Sequence, residues 1–112
     1  MTDRNEITDW LLSCKGETLL IEKRETDDTD LTRVELKDVS YTDHFQNQTD
    51  EYLAKEKLIL LGSGTVLNSA EQPPLPDEAY EIPLLGDWEG SLQGEALHIT
   101  TERATYHITK EQ

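Results

Sequence analysis

Cysteine and long apolar segments are almost missing from this sequence. Cys14 is its only cysteine, so an internal disulfide cannot form. The longest apolar run, residues 58–61, is far shorter than the roughly 20 residues that cross a bilayer as a helix. The first residues include Asp3, Glu6 and Asp9, whereas a secretory signal peptide needs an apolar stretch there. We therefore expect a cytoplasmic protein that does not enter membranes.

Basic residues are also few. The chain has 10 Lys and Arg residues against 24 Asp and Glu residues, which gives a formal net charge of −14 at pH 7. Such a charge repels the phosphates of nucleic acids and of anionic membrane surfaces, so we expect neither as a partner. Solubility alone explains an acidic surface, and the functional alternative is attraction to a partner protein with a basic surface.

Motifs of catalysis and of cofactor binding are lacking as well. None of the serines stands in the Gly-x-Ser-x-Gly pattern of hydrolases. Gly62 and Gly64 lack the third glycine of a dinucleotide site and the Gly-Lys-Ser/Thr ending of a phosphate loop. The acidic residues 25–30 do not begin an EF-hand, because the twelfth position counted from Asp28 is Val39. We expect a protein without catalytic activity and without a cofactor.

One helix is predicted near the N-terminus. Apolar residues at i, i+3, i+4 and i+7 form a stripe along one helical face; they are Ile7, Trp10, Leu11 and Cys14. Asp3 and Glu6 have the spacing of a capping box, and Gly16 can adopt the left-handed conformation that ends helices. The pattern predicts a helix over residues 3–15, with Cys14 as a small core residue.

Residues 97–108 predict a β-hairpin. Apolar and polar residues alternate on both sides of a polar centre at Glu102 and Arg103, as expected for two strands with one buried face. Folding about that centre gathers the apolar side chains on one face and opposes His98 to His107 on the other. The apolar pairs are then Leu97 with Ile108 and Ile99 with Tyr106.

Residues 17–109 are predicted to form the β-rich body of a single domain that spans residues 1–112. We expect about seven or eight strands, joined mostly by short connections that pair neighbours antiparallel. The expected fold is mainly β, either a small antiparallel meander barrel or a strongly curled sheet, with one N-terminal helix. An open α+β sheet is the alternative.

Four local features of this body are predicted. A change in the alternation near Lys37 and Asp38 indicates a bulge. The glycine-rich residues 62–64 stand between two apolar runs and indicate a hairpin turn. The proline-rich residues 72–78 form an internal connector, and Pro83 after it is typical of an edge strand.

The triplet Gly86-Asp87-Trp88 resembles the Gly-x-Trp motif of lipocalin-like barrels. In that family the motif usually lies near the N-terminus on the first strand, whereas here it lies in the last quarter of the chain. We transfer no ligand site from this resemblance, and interpret Trp88 as a core residue that follows a turn.

Two candidate sites follow from these elements. His98 and His107, opposed with Cβ atoms about 5 Å apart, can share a divalent metal such as zinc or nickel. A closed barrel can also hold one small apolar molecule if its interior is not filled. The aromatic residues that could line such a pocket are Trp10, Tyr80, Trp88 and Tyr106.

Three functions agree with these observations. The one we favour is a small acidic cytoplasmic protein-interaction or accessory module without catalytic activity. A small-ligand-binding β-barrel and a metal-binding protein that uses His98 and His107 are the alternatives.

Overall fold

The computed structural model describes residues 4–42, 56–67, 71, 73–84 and 86–111. This part of the chain contains helix α1 (Arg4–Ser13) and a short 3-10 helix (Pro76–Glu78). Its strands are β1 (Thr18–Glu25), β2 (Asp28–Thr42), β3 (Lys57–Val66), β4 (Ala79–Pro83), β5 (Glu89–Gln93), β6 (Ala96–Thr100) and β7 (Thr105–Lys110). Over the same residues, no helix combines the length and the apolar content that crossing a membrane requires.

All seven strands belong to one antiparallel sheet with the order β4-β3-β2-β1-β7-β6-β5. Strands β1–β4 form one meander, β5–β7 form a second, and the pairing of β1 with β7 joins them. The predicted mainly β fold with one N-terminal helix is confirmed. The open sheet is the alternative that is observed; the closed barrel is wrong, because no hydrogen-bonded pairing in the described residues joins the terminal strands β4 and β5.

The sheet curls strongly around its inner face. Strands β3, β2 and β1 separate β4 from β7, yet Tyr80 of β4 and Tyr106 of β7 lie close enough to interact electrostatically. Pro83 of β4 also borders the same cavity as Tyr106. Helix α1 contacts both β2 and β5. The open sheet therefore wraps around a common inner space that the helix helps to fill.

The inner face and the helix share one hydrophobic core. Ile7, Leu11 and Cys14 of the apolar stripe are buried against the strands. Gly90 of β5 permits this packing, because a Cβ atom there would overlap the Cδ1 atom of Ile7. The helix lies where the stripe predicts it and ends slightly earlier; its predicted cap, Asp3, lies outside the described residues.

Three other local predictions are confirmed. Strands β6 and β7 pair His98 directly with His107, in the predicted register. The register between β2 and β3 shifts between Leu36 and Asp38, which is the predicted bulge. Strand β4 lies at one edge of the sheet and ends at Pro83, where a missing backbone donor is tolerated.

The hairpin predicted at residues 62–64 is wrong, because β3 runs through this segment without turning. A Cβ atom at Gly62 would overlap the carbonyl oxygen of Glu35, and one at Gly64 would overlap the side chain of Leu75. The two glycines therefore allow the backbone of β2 and the connector after β3 to approach closely.

Gly86 and Asp87 form a bend before β5, and Trp88 is half-buried against the hydrophobic core. The interpretation of Trp88 as a core residue after a turn is confirmed. This position, between the two meanders of an open sheet, differs from the first strand of a lipocalin-like barrel.

Candidate functional site

The inner face of the sheet changes from apolar to polar along β1 and β2. On β1, Leu19 and Ile21 are buried, and the same alternation continues with Lys23 and Glu25. Their partners on β2 are Val34, Thr32, Asp30 and Asp28, in that order. Because α1 packs at the apolar end, the charged side chains lie where the curled sheet is open. We call this region, formed by Lys23, Glu25, Asp28 and Asp30, the polar end.

Negative charge predominates at the polar end. Lys23 Nζ lies 3.4 Å from Glu25 Oε1, and Lys23 stands opposite Asp30 in the β1–β2 register. Carboxylate oxygens of Glu25, Asp28 and Asp30 lie within 4.8 Å of one another, and no other three potential metal ligands among the described residues converge in this way. Three carboxylates against one ammonium leave a negative local potential.

Two cavities that share Lys23 open at the polar end. The first has a volume of about 320 Å³ and is bordered by Asp30 and Tyr80. The second has a volume of about 280 Å³ and is bordered by Glu25, Tyr106 and a second cation, Arg103. These volumes lie near the lower end of the range for small-molecule pockets, which begins at about 300 Å³. The polar end therefore has room for a small ligand or for one inserted side chain.

Burial and the charges of the polar end both shift the pKa values of the two tyrosines. Burial raises the pKa of Tyr80 above its ordinary value, and Tyr106, Asp30 and Glu25 raise it further. Burial likewise raises the pKa of Tyr106 to about 12, with Glu25 adding to the effect and Arg103 opposing it. Both phenols therefore keep their protons at neutral pH and can donate hydrogen bonds into the cavities.

The four aromatic residues predicted to line a pocket divide into two pairs. Tyr80 and Tyr106 border the cavities at the polar end. Trp10 and Trp88 are half-buried against the hydrophobic core and border neither of these cavities. The inner space is thus filled by core side chains near the helix and open at the polar end.

His98 and His107 lie on the opposite, outer face of the sheet. Their rings stack with centroids 4.4 Å apart and planes inclined by 20°, and both residues are half-buried. On the neighbouring strands, Ser91 of β5 is paired with His98, and Glu22 of β1 is paired with His107. The predicted opposition of the two imidazoles is confirmed. The stacked rings turn their faces toward each other, so this arrangement is not itself a chelate.

Lys23, Glu25 and Asp30 were not among the predicted site residues. A signal for two of them exists in the alternation of β1, because Lys23 and Glu25 continue the phase of the buried Leu19 and Ile21. Charged residues in the phase of buried residues mark the place where an inner face becomes polar. The close approach of β4 to β7 has no comparable local signal.

The fold and these sites define a small acidic protein built on one open, curled antiparallel sheet with polar cavities at one end. The model of the YmzB-like protein family matches residues 1–112, and the chain belongs to this family. It is similar to the uncharacterized protein YmzB of Bacillus subtilis (strain 168), with 40% identity over 107 residues that cover 92% of this chain and 91% of the relative. No solved structure matches the chain.

Proposed function

We propose that this protein is a non-catalytic binding module that accepts a positively charged ammonium or guanidinium group at its polar end. The observation that carries this proposal is the group of carboxylates beside the cavity that Asp30, Glu81 and Tyr80 border. The function that we infer is recognition of a cationic ligand.

Charge supports a cationic ligand in two ways. Glu25, Asp28 and Asp30 repel one another at separations within 4.8 Å, and a bound cation would relieve that repulsion. Lys23 already does so in part, through its contact with Glu25. At longer range, the formal net charge of −14 increases the rate at which cations reach the cavities.

The aromatic walls suit the same class of ligand. Lys23 Nζ lies 6.0 Å from the centroid of the Tyr106 ring, at the outer limit of a cation–π contact. A guest ammonium with an apolar stem could place its charge near the carboxylates and its stem along Tyr80. An aromatic face within about 6 Å is a general way to hold such groups.

The cationic group can come from two sources. A free polyamine could enter the cavity of about 320 Å³, or a partner protein with a basic surface could insert a lysine or arginine side chain. We include in the proposal that the protein is cytoplasmic and binds neither nucleic acid nor membranes, which fits both sources. The acidic composition and the buried free thiol of Cys14 support this part of the proposal.

Amide NMR titrations of the full chain with spermidine and with a blocked trilysine peptide test the proposal. We expect chemical-shift changes confined to the polar end. Asp30→Asn should weaken binding roughly fivefold, the effect of about 1 kcal/mol of lost attraction. Glu89→Gln is the matched control, because it removes the same charge from an exposed position at the start of β5.

The comparison of probes identifies the source of the cation. Tighter binding of spermidine supports a small-molecule ligand, and tighter binding of the peptide supports a partner protein. Absence of shift changes with both probes up to about 10 mM would contradict the proposal. Equal weakening by Asp30→Asn and Glu89→Gln would also contradict it, because it would show attraction to the whole acidic surface.

A further inference from the structure

A row of three potential metal ligands crosses the outer face of the sheet. Glu22 of β1 stands directly opposite His107 of β7, and His107 stands directly opposite His98 of β6. Directly opposed residues on adjacent antiparallel strands hold their Cβ atoms about 4.5–5.5 Å apart. Two imidazoles and a carboxylate thus project side by side from the same face.

We propose that His98, His107 and Glu22 form a site for a divalent transition metal of the zinc class. Two histidines and one glutamate are a known ligand set for Zn²⁺, which then keeps a fourth position for water. The site lies on the face opposite to the polar end, so it stands independently of the proposed function.

The two rings need only a limited movement to chelate a metal. Their centroids are 4.4 Å apart and their planes are inclined by 20°. A tetrahedral zinc ion with Zn–N bonds of about 2.0–2.1 Å holds its two ligand nitrogens about 3.3 Å apart. Rotation of the half-buried rings about their Cβ–Cγ bonds can bring one nitrogen of each to that separation without a change in strand register.

Arg24 competes with the metal for the third ligand. Its Nε atom lies 3.2 Å from Glu22 Oε1, and its side chain is 67% exposed. An exposed ion pair of this kind contributes little to stability. Glu22 can therefore turn from Arg24 toward His107, and the resting structure holds the carboxylate in a weak contact that a metal ion can replace.

Zinc titration of the full chain, followed through the histidine ring nitrogens by NMR, tests this site. We expect the signals of His98 and His107 to shift together and to saturate at one equivalent of Zn²⁺. Glu22→Gln should weaken binding at least ~10-fold. Arg24→Gln should strengthen it by up to about fivefold, since releasing an exposed ion pair provides no more.

Three further variants show whether zinc binds at this site or elsewhere on the protein. Arg33→Gln removes a positive charge from β2, a strand that contributes no ligand to the site, and should leave zinc affinity unchanged. Asp30→Asn should also leave it unchanged, because it alters only the acidic cluster of the polar end. The double variant His98→Thr with His107→Thr copies the neighbouring Thr100–Thr105 pair, retains good strand-forming residues, and should abolish the tight binding.

Two results would overturn the inference. One is the absence of any ring-nitrogen shift at millimolar Zn²⁺. The other is zinc binding that Glu22→Gln and the double threonine variant leave unchanged. If the double variant fails to fold, the opposite responses expected of Glu22→Gln and Arg24→Gln still decide the question, and equal affinities in those two variants would contradict it.

Discussion

Gly62 on β3 lies against the carbonyl oxygen of Glu35 on β2, so closely that a Cβ atom at position 62 would overlap that oxygen. The contact stands beside the bulge at which the β2–β3 register shifts between Leu36 and Asp38. Gly62 also has a φ of 155°, which residues with L side chains rarely adopt. The bulge therefore depends on a glycine at this position.

We expect Gly62→Ala to lower the free energy of unfolding by ~3 kcal/mol or more, because neither backbone can move without breaking ladder hydrogen bonds. Gly94→Ala is the control. Gly94 has a φ of 66°, and no atom lies within 4 Å of the place that a Cβ atom would take there. Only the backbone conformation therefore disfavours alanine at position 94, and we expect it to lower the free energy of unfolding by about 1–2 kcal/mol. Urea unfolding measures both values, and equal midpoints for the two variants would refute the role assigned to the contact.

Stability should fall steeply in alkali because of the buried tyrosines. Burial raises the pKa of Tyr106 to about 12 and raises the pKa of Tyr80 as well, whereas tyrosine in an unfolded chain titrates near pH 10. Between about pH 10 and pH 12 the unfolded chain loses phenolic protons that the native protein keeps. The free energy of unfolding therefore decreases as the pH rises through this window. Below the window, the two buried tyrosines make their full contribution to stability.

Urea unfolding at about pH 9 and about pH 11 tests whether the free energy of unfolding decreases over this interval. The Tyr106→Phe variant is the control, since it has no proton to lose at that position. We expect its stability to decrease less over the same interval than that of the unmodified chain. Equal decreases would show that lysine titration or another group is responsible.

Cys14 should behave as an inert core thiol. It is fully buried, and burial raises its pKa, so both access and the thiolate fraction are low. We expect the native protein to react with a disulfide reagent such as DTNB only at the rate of local or global opening, and to react at once in concentrated urea. Leu12→Cys in a Cys14→Ala background gives the matched exposed thiol, because Leu12 is 37% exposed. Equal rates for the two native thiols would contradict the burial of Cys14.

The parts of this fold that follow from local alternation could be predicted from the sequence. His98 opposes His107 because the side chains of one strand alternate with a period of two, and a slip by one residue would expose Ile99 and Ile108. The helix follows from its apolar stripe for the same kind of reason.

The parts that depend on distant contacts could not be predicted. Gly62 and Gly64 have the composition of a turn, but their function is set by Glu35 and Leu75, which local patterns do not reveal. In the same way, the curl of the sheet brings Tyr80 near Tyr106 across three intervening strands. The candidate cavities exist because of that curl, so aromatic residues alone could not identify them.

Lys23 should act as an internal competitor for the cation that the polar end is proposed to bind. Its ammonium contacts Glu25, and Lys23 borders the cavity beside Asp30 and Tyr80, where a guest ammonium would have to lie. Lys23→Met keeps an unbranched side chain of similar length, removes the competing charge and leaves the carboxylates in place. We expect spermidine to bind this variant several-fold more tightly, and the gain to shrink with added salt as the attraction is screened.

Lys15→Met is the matched control, because it makes the net charge more negative by the same amount. Lys15 follows α1 and pairs with Asp38 at 3.8 Å, away from the polar end. If general acidity determined binding, both variants would bind spermidine equally well. A larger gain for Lys23→Met therefore indicates that the ligand replaces the lysine ammonium beside Glu25, and a gain no larger than that of Lys15→Met would remove the polar end from consideration as the binding site.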